Sequence, residues 1–340
     1  MQFETKVLNA TSVPHWDGVD PTFLNYHAWQ FRWADPRKSE HMALAVLQYS
    51  RSPGPDASRG ARRRNGLAFR TLGWLGLWRG DFDAAEAYAH KALARLKGVG
   101  AESALIDAFD VLSVVSISKN DLMRADTYMN AADELLSKTD KHEAVLGHLV
   151  TKSVFERLTG RLQTAQKLSE RVMETALGHV RNRAKLNLAR ALVSMGNHAH
   201  AQEHIGVSLQ LCEDLSNKVM LPYAIEVDAQ VKIKLDQTDG VADQIDRAWA
   251  LANARNDRRA ECHLSRQRAE LTYVQGDRPA ALELFVAALK NARDLHYPLL
   301  ETDMLRRCAE LQEELGLTDA ALESMKALDR IKTQYSVPPI

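Results

Sequence analysis

The sequence predicts an all-α fold, a solenoid of about seven to eight helical hairpins with a period of mostly 40 residues. Three observations predict this class. Helix-breaking residues return at nearly constant intervals, small residues stand at fixed distances from each break, and apolar residues before each break follow helical spacing. A period of this length indicates stacked supersecondary units, each contacting its neighbours.

The breaks define the repeat. They fall at Gly80, Asn120, Gly160, Gly196, Gly276 and Gly316, at intervals of 40, 40, 36, 80 and 40 residues. The double interval predicts a further unit near residue 236, where "KLDQTDGVADQ" supplies a polar break that contains glycine. Seven units result, and each is expected to be two helices joined by a tight turn.

Small residues mark the same seven units. They stand seven residues before, five after and twelve after each break, as Gly73, Ala85 and Ala92 do around Gly80. The exceptions to Gly, Ala or Ser at these positions are Val172, Val241 and Leu328. Because small side chains let helices approach closely, these positions predict the contacts within and between hairpins.

The turn residues predict how each helix ends and the next begins. Gly and Asn readily adopt the left-handed conformation that ends a helix. Asp81, Asp121 and Asp277 directly follow a break, and their side chains can accept hydrogen bonds from the free N–H groups of the next helix. The first unit is therefore "AFRTLGWLGLW", a turn, and "FDAAEAYAHKAL".

The segment "AFRTLGWLGLWRGDFDAAEAYAHKAL" resembles a tetratricopeptide repeat without gaps, and residues 106–135 resemble another. The matching positions in the first are Phe69, Leu72, Gly73, Gly80, Asp81, Phe82, Ala85 and Ala92. The resemblance covers about residues 62–335. It implies a right-handed superhelix whose concave groove is lined by the first helix of each hairpin. A 40-residue period is also typical of HEAT repeats, which are the alternative architecture.

The units depart from the family in length. The usual unit has about 34 residues and often closes with proline, whereas that position holds residues such as Lys97 and Ser137 here. Without proline the second helix can continue for one or two more turns. The 36-residue unit is shorter by about one helical turn, so its second helix is expected to end near Gly178.

Residues 1–60 are predicted to form an N-terminal cap and residues 61–340 the superhelical array. "DPTFLNYHAWQFRW" and "RKSEHMALAVLQYS" indicate an eighth, aromatic hairpin that can cap the stack or occupy its groove. "RSPGPDASRGARRRNG" is predicted to be a loop. "AWQFRWADPRKSEHMALAV" also resembles the opening of tetratricopeptide modules in bacterial signalling proteins, including those associated with diguanylate cyclases.

The last predicted helix leaves one apolar face without a later helix to cover it. Met325, Leu328 and Ile331 share that face. The face either packs back on its own hairpin or meets a partner, such as a second copy of the chain or an output domain. A homodimer through the terminal helices is one of these alternatives.

Composition narrows the possible function. The 44 basic and 44 acidic side chains balance, which argues against a nucleic-acid or anionic-membrane binder. Cys212, Cys262 and Cys308 form no disulfide or metal motif, and no secretory signal or membrane span is visible, so a cytoplasmic protein is expected.

Sequence motifs for catalysis are absent from the chain. No P-loop, G-x-S-x-G, G-x-G-x-x-G, H-E-x-x-H or kinase motif occurs, so the chain is predicted not to be an enzyme, and no cofactor is expected. His198, His200 and His204 are interpreted as a solvated helix face, because no carboxylate or cysteine completes a ligand set.

The groove is therefore the expected binding surface, and its partner is expected to be a protein or peptide. By register the resemblance places these residues on it: Arg70, Trp74, Trp78, Asp110, Arg183, Arg190, Tyr223, Glu226, Gln230, His263, Arg266, Glu270, Tyr273 and Arg306. The leading hypothesis is a scaffold or regulatory sensor in bacterial signalling. The alternatives are a small-ligand sensing module that controls an output enzyme such as a diguanylate cyclase, and a self-assembling structural adaptor.

Overall fold

The computed structural model describes residue 16, residues 18–49 and residues 58–334, and this part of the chain holds sixteen α-helices and no strand. In chain order they are α1 Pro21–Phe31, α2 Pro36–Tyr49, α3 Arg59–Arg79, α4 Phe82–Leu96, α5 Glu102–Ser118, α6 Leu122–Leu136, α7 His142–Leu158, α8 Leu162–Thr175, α9 Gly178–Ser194, α10 His198–Asp214, α11 Leu221–Lys234, α12 Val241–Asn253, α13 Arg258–Val274, α14 Arg278–Asp294, α15 Pro298–Glu314 and α16 Thr318–Gln334. None of these helices is long and apolar enough to cross a membrane. The prediction of an all-α solenoid is confirmed.

Consecutive helices pair as eight hairpins within the described residues, from α1 with α2 to α15 with α16. All seven predicted breaks have a left-handed backbone, with φ of 82° at Gly80 and 60° at Asn120. The break inferred from the double interval is Asp236, where φ is 61°. The short unit also ends as expected, because α8 stops at Thr175 and Gly178 has φ of 54°. The repeat register is confirmed.

The small residues and the Asp caps act as predicted. Every small-residue position in the seven units is buried except Leu328, which is partly buried. The side chains of Asp81, Asp121 and Asp277 accept hydrogen bonds from the backbone N–H three residues on. A Cβ at Gly73 would lie 3.3 Å from the backbone oxygen of Ala85, so the two helices of that hairpin nearly touch.

A second set of turns joins one hairpin to the next, and three of them contain left-handed residues other than glycine. These are Ser216, Asn256 and His296, with φ of 49°, 55° and 49°. Each strained residue is followed by a backbone N–H that bonds five residues back, as Asn217 N does to Cys212 O at 2.7 Å. This helix-ending motif satisfies free carbonyl groups and offsets the strain of the left-handed residue. These three turns contain no glycine that would mark them in the sequence.

The predicted Pro-, Gly- and Arg-rich loop is wrong from residue 59 onward. Helix α3 begins at Arg59, and the Ser58 side chain accepts a hydrogen bond from the N–H of Ala61. Gly66 lies inside the helix, where a Cβ would stand 2.5 Å from Cγ of Leu96. The glycine marks a close helix contact rather than a turn. Residues 51–57 of the predicted loop lie outside the described residues.

The superhelix closes on itself. The backbone N–H of Val219 donates to the oxygen of Trp33 at 3.4 Å, and Arg37 Nη2 donates to the oxygen of Ala254 at 2.7 Å. Further along, the rings of Phe82 and Tyr297 lie edge to face with centroids 5.1 Å apart. These contacts bring the first two hairpins against the last three, which a periodic sequence does not reveal.

The apolar face of the last helix packs on its own end of the stack. Leu328 and Ile331 lie against the main core, whereas Met325 is 48% exposed and Leu322 is 51% exposed. The first of the two predicted alternatives therefore applies to Leu328 and Ile331.

Candidate functional site

The closed superhelix surrounds a central cavity of about 960 Å³. Its wall is formed by the first helices of all eight described hairpins and by the turns that adjoin them. The predicted role of the first helices as the inner layer is therefore seen in the geometry. Helix α1 belongs to this wall, so the aromatic hairpin both packs on the end of the stack and lines its interior.

Twelve of the fourteen predicted groove residues lie in this wall. They are Arg70, Trp74, Trp78, Asp110, Arg183, Arg190, Tyr223, Glu226, Gln230, His263, Arg266 and Arg306. Glu270 and Tyr273 stand beyond it, where Glu270 pairs with Arg307 at 2.8 Å and the Tyr273 hydroxyl donates to Glu314 at 3.0 Å. Whether the twelve bind a partner stays a prediction.

Four tryptophans line one end of the cavity, and we call Trp29, Trp33, Trp74 and Trp78 the tryptophan cluster. The ring centroids of Trp33 and Trp74 are 4.4 Å apart and those of Trp74 and Trp78 are 5.6 Å apart. The Trp33 side chain is almost fully buried, and Trp29 is partly exposed to the cavity. Indole rings combine a large apolar surface with one N–H donor, which suits a ligand with mixed chemistry.

Two arginines pack on the ring of Trp29, the partly exposed member of the tryptophan cluster. The guanidinium carbons of Arg32 and Arg70 lie 3.8 Å and 3.6 Å from the ring centroid of Trp29. Each arginine also has an acidic partner, since Arg70 pairs with Asp107 at 3.1 Å and Arg32 with Glu143 at 3.4 Å. Burial raises the pKa of Asp107 to about 6 even though both arginines oppose that change. Charge at this end of the cavity is thus paired and nearly balanced.

Another part of the wall holds Arg157, Arg190, Arg266 and Arg306, which we call the arginine cluster. Arg190 Nη2 and Arg266 Nη2 donate to the two carboxylate oxygens of Glu226 at 2.9 Å and 2.7 Å. Burial favours a raised pKa for Glu226, but the charges of Arg190 and Arg266 outweigh it and lower the pKa to about 2. Glu226 is therefore an anion that orients two guanidinium groups.

A second carboxylate extends this network. Arg266 Nη1 donates to Asp303 at 2.8 Å, and Arg306 bonds to the other oxygen of Asp303. His263 stands nearby with its Nε2 atom 3.2 Å from the Tyr297 hydroxyl, and burial lowers the pKa of His263 well below its ordinary value. The imidazole is neutral, so the positive charge here comes from the arginines.

Several residues of the cavity wall were not predicted from the sequence, although some of them stand at the same distance from a break as predicted groove residues. Asp107 and Asp303 stand thirteen residues before a break, the same register as Tyr223 and His263. Arg157 stands three before its break, as Tyr273 does. Trp29 and Trp33 could be placed only once the closure had brought the first hairpin against the later ones.

The histidines interpreted as a solvated face do not assemble a metal site. Among the described residues no group of three His, Cys, Asp or Glu side chains could hold a metal ion. His200 Nδ1 lies 2.9 Å from the Asn197 amide, and His204 Nδ1 lies 3.3 Å from Lys185 Nζ. The first contact lies at the start of α10, and the second joins α10 to α9. That the chain is not an enzyme stays a prediction.

The chain was compared with known proteins. No protein-family model matches it, and no curated protein does. A Rap protein complexed with Competence and Sporulation Factor has a similar structure, with 11% identity, a TM-score of 0.64 and coverage of 93% of this chain and 98% of that one. Aspartyl phosphate phosphatase F from Bacillus subtilis follows with 13% identity, a TM-score of 0.57 and coverage of 100% and 90%. The apo form of RapI has 12% identity, a TM-score of 0.53 and coverage of 79% and 97%.

Proposed function

We propose that this chain, which has the tetratricopeptide repeat fold, binds a peptide or protein segment in its central cavity and acts as a regulatory sensor in bacterial signalling. One observation carries the proposal: the first helices of all eight described hairpins meet around a single cavity. An occupant therefore contacts many repeats at once. Contacts summed over many repeats then provide both affinity and specificity.

The wall has the residue types that dominate binding sites. Trp, Tyr and Arg are enriched where a few side chains supply most of the binding energy. The tryptophan cluster offers apolar and ring-stacking surface, and the charged pairs around Asp107 and Glu226 offer fixed donors and acceptors. Because these groups stand on packed helices, little order has to be gained when a ligand binds.

The closure contacts suggest how binding is transmitted. Trp78 lies in the cavity wall, and its ring packs edge to face on Tyr223 with centroids 5.2 Å apart. Tyr223 in turn donates from its hydroxyl to Asp257 at 2.9 Å. Ligand contacts and closure contacts thus share side chains. A ligand that binds the closed form more tightly than an open one shifts the population toward closure.

One of the similar structures is that of a complex, which supports a binding role for this fold. The Rap protein, similar in fold over 93% of this chain, was solved as a complex with Competence and Sporulation Factor. The similarity in fold supports a comparable binding architecture in this chain. Which ligand this chain binds depends on the side chains of its own cavity wall.

The test is selection from a random peptide library on the immobilised chain, followed by calorimetry with the selected peptides. We expect stoichiometric binding that Trp29→Ala weakens by at least about tenfold. Trp249→Ala is the matched control, because Trp249 lies on α12 and away from the cavity wall. Four of the six tryptophans line the cavity, so binding should also change intrinsic fluorescence.

A small-ligand sensor for an output enzyme is the second candidate. The cavity volume of about 960 Å³ lies within the range of small-molecule sites, roughly 300–1,000 Å³, and favours this role as well. Failure to select any peptide, together with one stoichiometric small molecule co-purifying from the native host, would replace the first candidate with this one.

A further inference from the structure

We infer that the ligand of the central cavity presents an oxyanion, a carboxylate or a phosphate group, to Arg157 in the arginine cluster. The inference rests on the proposed role of the cavity as a binding site. It specifies one chemical group of the ligand and the part of the cavity wall that this group contacts.

The charges around Arg157 do not balance. The cluster holds four guanidinium groups, and three carboxylates contact them: Glu226, Asp303 and Glu310, the last at 3.7 Å from Arg306. All three are already engaged: Glu226 with Arg190, Arg266 and the Gln267 amide, Asp303 with Arg266 and Arg306, and Glu310 with Arg306 and Arg307. The network therefore keeps an excess of positive charge and no carboxylate to spare, although the whole chain is neutral.

Arg157 is the member without a partner. Within the described residues its side chain makes no hydrogen bond or ion pair, and its buried Nε atom has no acceptor. Burial lowers the pKa of Arg157 to about 10, and the charges of Arg190 and Arg266 add to this effect. A partly buried cation among like charges is unfavourable unless an anion joins it.

The charged surroundings of Arg183 differ from those of Arg157, which explains why the anion site is assigned to Arg157. This second wall arginine also lacks a direct hydrogen bond within the described chain, and burial lowers its pKa. Its charged surroundings, however, are the carboxylates of Asp110, Asp107 and Glu143, which attract it. Arg183 is compensated by three carboxylates, whereas the charges that act on Arg157 are two arginines and the carboxylate of Glu226, which both arginines already engage.

Other buried polar atoms without a hydrogen-bond partner lie in the same part of the wall. The buried Nε atoms of Arg259 and Arg266 and the Nδ1 atom of His263 have no hydrogen-bond partner among the described residues. Buried polar atoms of this kind are rare in native proteins, and each costs about 1–3 kcal/mol. Arginine donors form short, charge-assisted and often bidentate bonds with carboxylate and phosphate oxygens. An oxyanion is therefore the ligand group that best matches these arginine donors.

The experiment uses small anions as probes. Thermal unfolding of the full chain is followed in inorganic phosphate and in acetate, each against chloride at equal ionic strength. An anion that binds the native state raises the unfolding midpoint in a concentration-dependent way. A phosphate response without an acetate response identifies a phosphate source, and the reverse identifies a carboxylate. No response to either anion beyond that of chloride would overturn the inference.

Variants locate the effect. Arg157→Gln should weaken the responding anion by at least about tenfold, and it should raise the unfolding midpoint in chloride because an uncompensated charge is removed. Arg157→Lys keeps the charge and should retain part of the response. Arg171→Gln, at an exposed position on α8 outside the wall, should change neither quantity. A merely structural arginine would instead lower the midpoint when replaced.

The outcomes separate the inference from the proposed function. Peptides that bind the cavity with an affinity that Arg157→Gln leaves unchanged would contradict the oxyanion while the peptide-binding role stands. Anion binding at Arg157 without any selectable peptide would contradict the peptide-binding role and leave the oxyanion site as that of a small ligand.

Discussion

Gly80 and Arg259 touch across the seam where the second hairpin meets the seventh. A Cβ at residue 80 would lie 3.0 Å from the Cβ of Arg259 and 3.2 Å from its backbone nitrogen. Glycine at this turn therefore serves two purposes. It adopts the left-handed backbone that ends α3, with φ of 82°, and it lets the superhelix close.

Gly80→Ala is expected to destabilise the chain in two ways. The left-handed backbone costs about 1–2 kcal/mol for a residue with a Cβ, and the new methyl group presses on Arg259. Gly160→Ala is the matched control, because Gly160 also has φ of 82° but nothing lies within 4 Å of an added Cβ. Urea unfolding should show a larger loss for Gly80→Ala. Equal losses would mean that the seam does not contribute to stability.

Gly73→Leu is expected to lower the free energy of unfolding by about 1–3 kcal/mol or more, the range for overpacking. The backbone of Ala89 lies 3.3 Å from the position of a Cβ at residue 73, and backbone cannot move aside easily. Gly206→Leu provides the contrast, since Gly206 is exposed within α10 and has open space. That change should stabilise the helix by up to about 1 kcal/mol. An unchanged melting temperature for Gly73→Leu would contradict the assigned register.

The stability of the chain is expected to fall above neutral pH because of His148. Its Nδ1 and Nε2 atoms lie 2.7 Å from Asp110 and 3.1 Å from Asp133, and only a protonated imidazole donates to both. Burial opposes protonation, but the two carboxylates outweigh it and raise the pKa of His148 above its ordinary 6.5.

A raised folded-state pKa makes the contribution of His148 complete below about pH 6.5, and the contribution is lost as the pH rises through the folded value. Asp133 also accepts a hydrogen bond from Lys152 Nζ at 2.7 Å. Urea unfolding at about pH 6 and pH 8 measures the change, and His148→Gln should remove most of the difference. A pH dependence that the variant retains in full would assign it to other groups.

The three cysteines are expected to resist thiol reagents in the native chain. Burial raises the pKa of Cys212 to about 11, that of Cys262 to about 12 and that of Cys308 to about 11. Since the thiolate is the reactive form, labelling requires opening. In mild denaturant the labelling rate of each thiol should report the local opening of its own hairpin. Simultaneous labelling of all three would indicate one cooperative unit.

Much of the fold could be predicted because its determinants are local. A turn needs a left-handed residue, a helix start needs a cap, and a close helix contact needs a small side chain, and each leaves a residue at a fixed position. Asp236 shows the strength of this regularity, since the interval predicted a break at a position where the left-handed residue is not glycine. Gly66 shows its limit, because a glycine in a close helix contact has the same letter as one in a loop.

The wall of the candidate site was less predictable. Register placed residues such as Arg190 and Glu226 on the inner helices, and they do face each other at 2.9 Å. It could not distinguish a side chain in the cavity from one engaged outside it, as Tyr273 is with Glu314. Pairing depends on the pitch of the superhelix, which arises from small rotations summed over many units.

The sequence by itself determined the helical hairpins, their number and their turns, since those depend on residues a few positions apart. The tertiary structure alone decided that the stack closes into a ring, that Trp33 and Val219 meet, and that Arg157 is left among like charges. The physical reason is range: the hydrogen bonds inside a helix and the helix caps act within a turn of the chain. Closure and charge pairing depend on how distant hairpins are brought together in space.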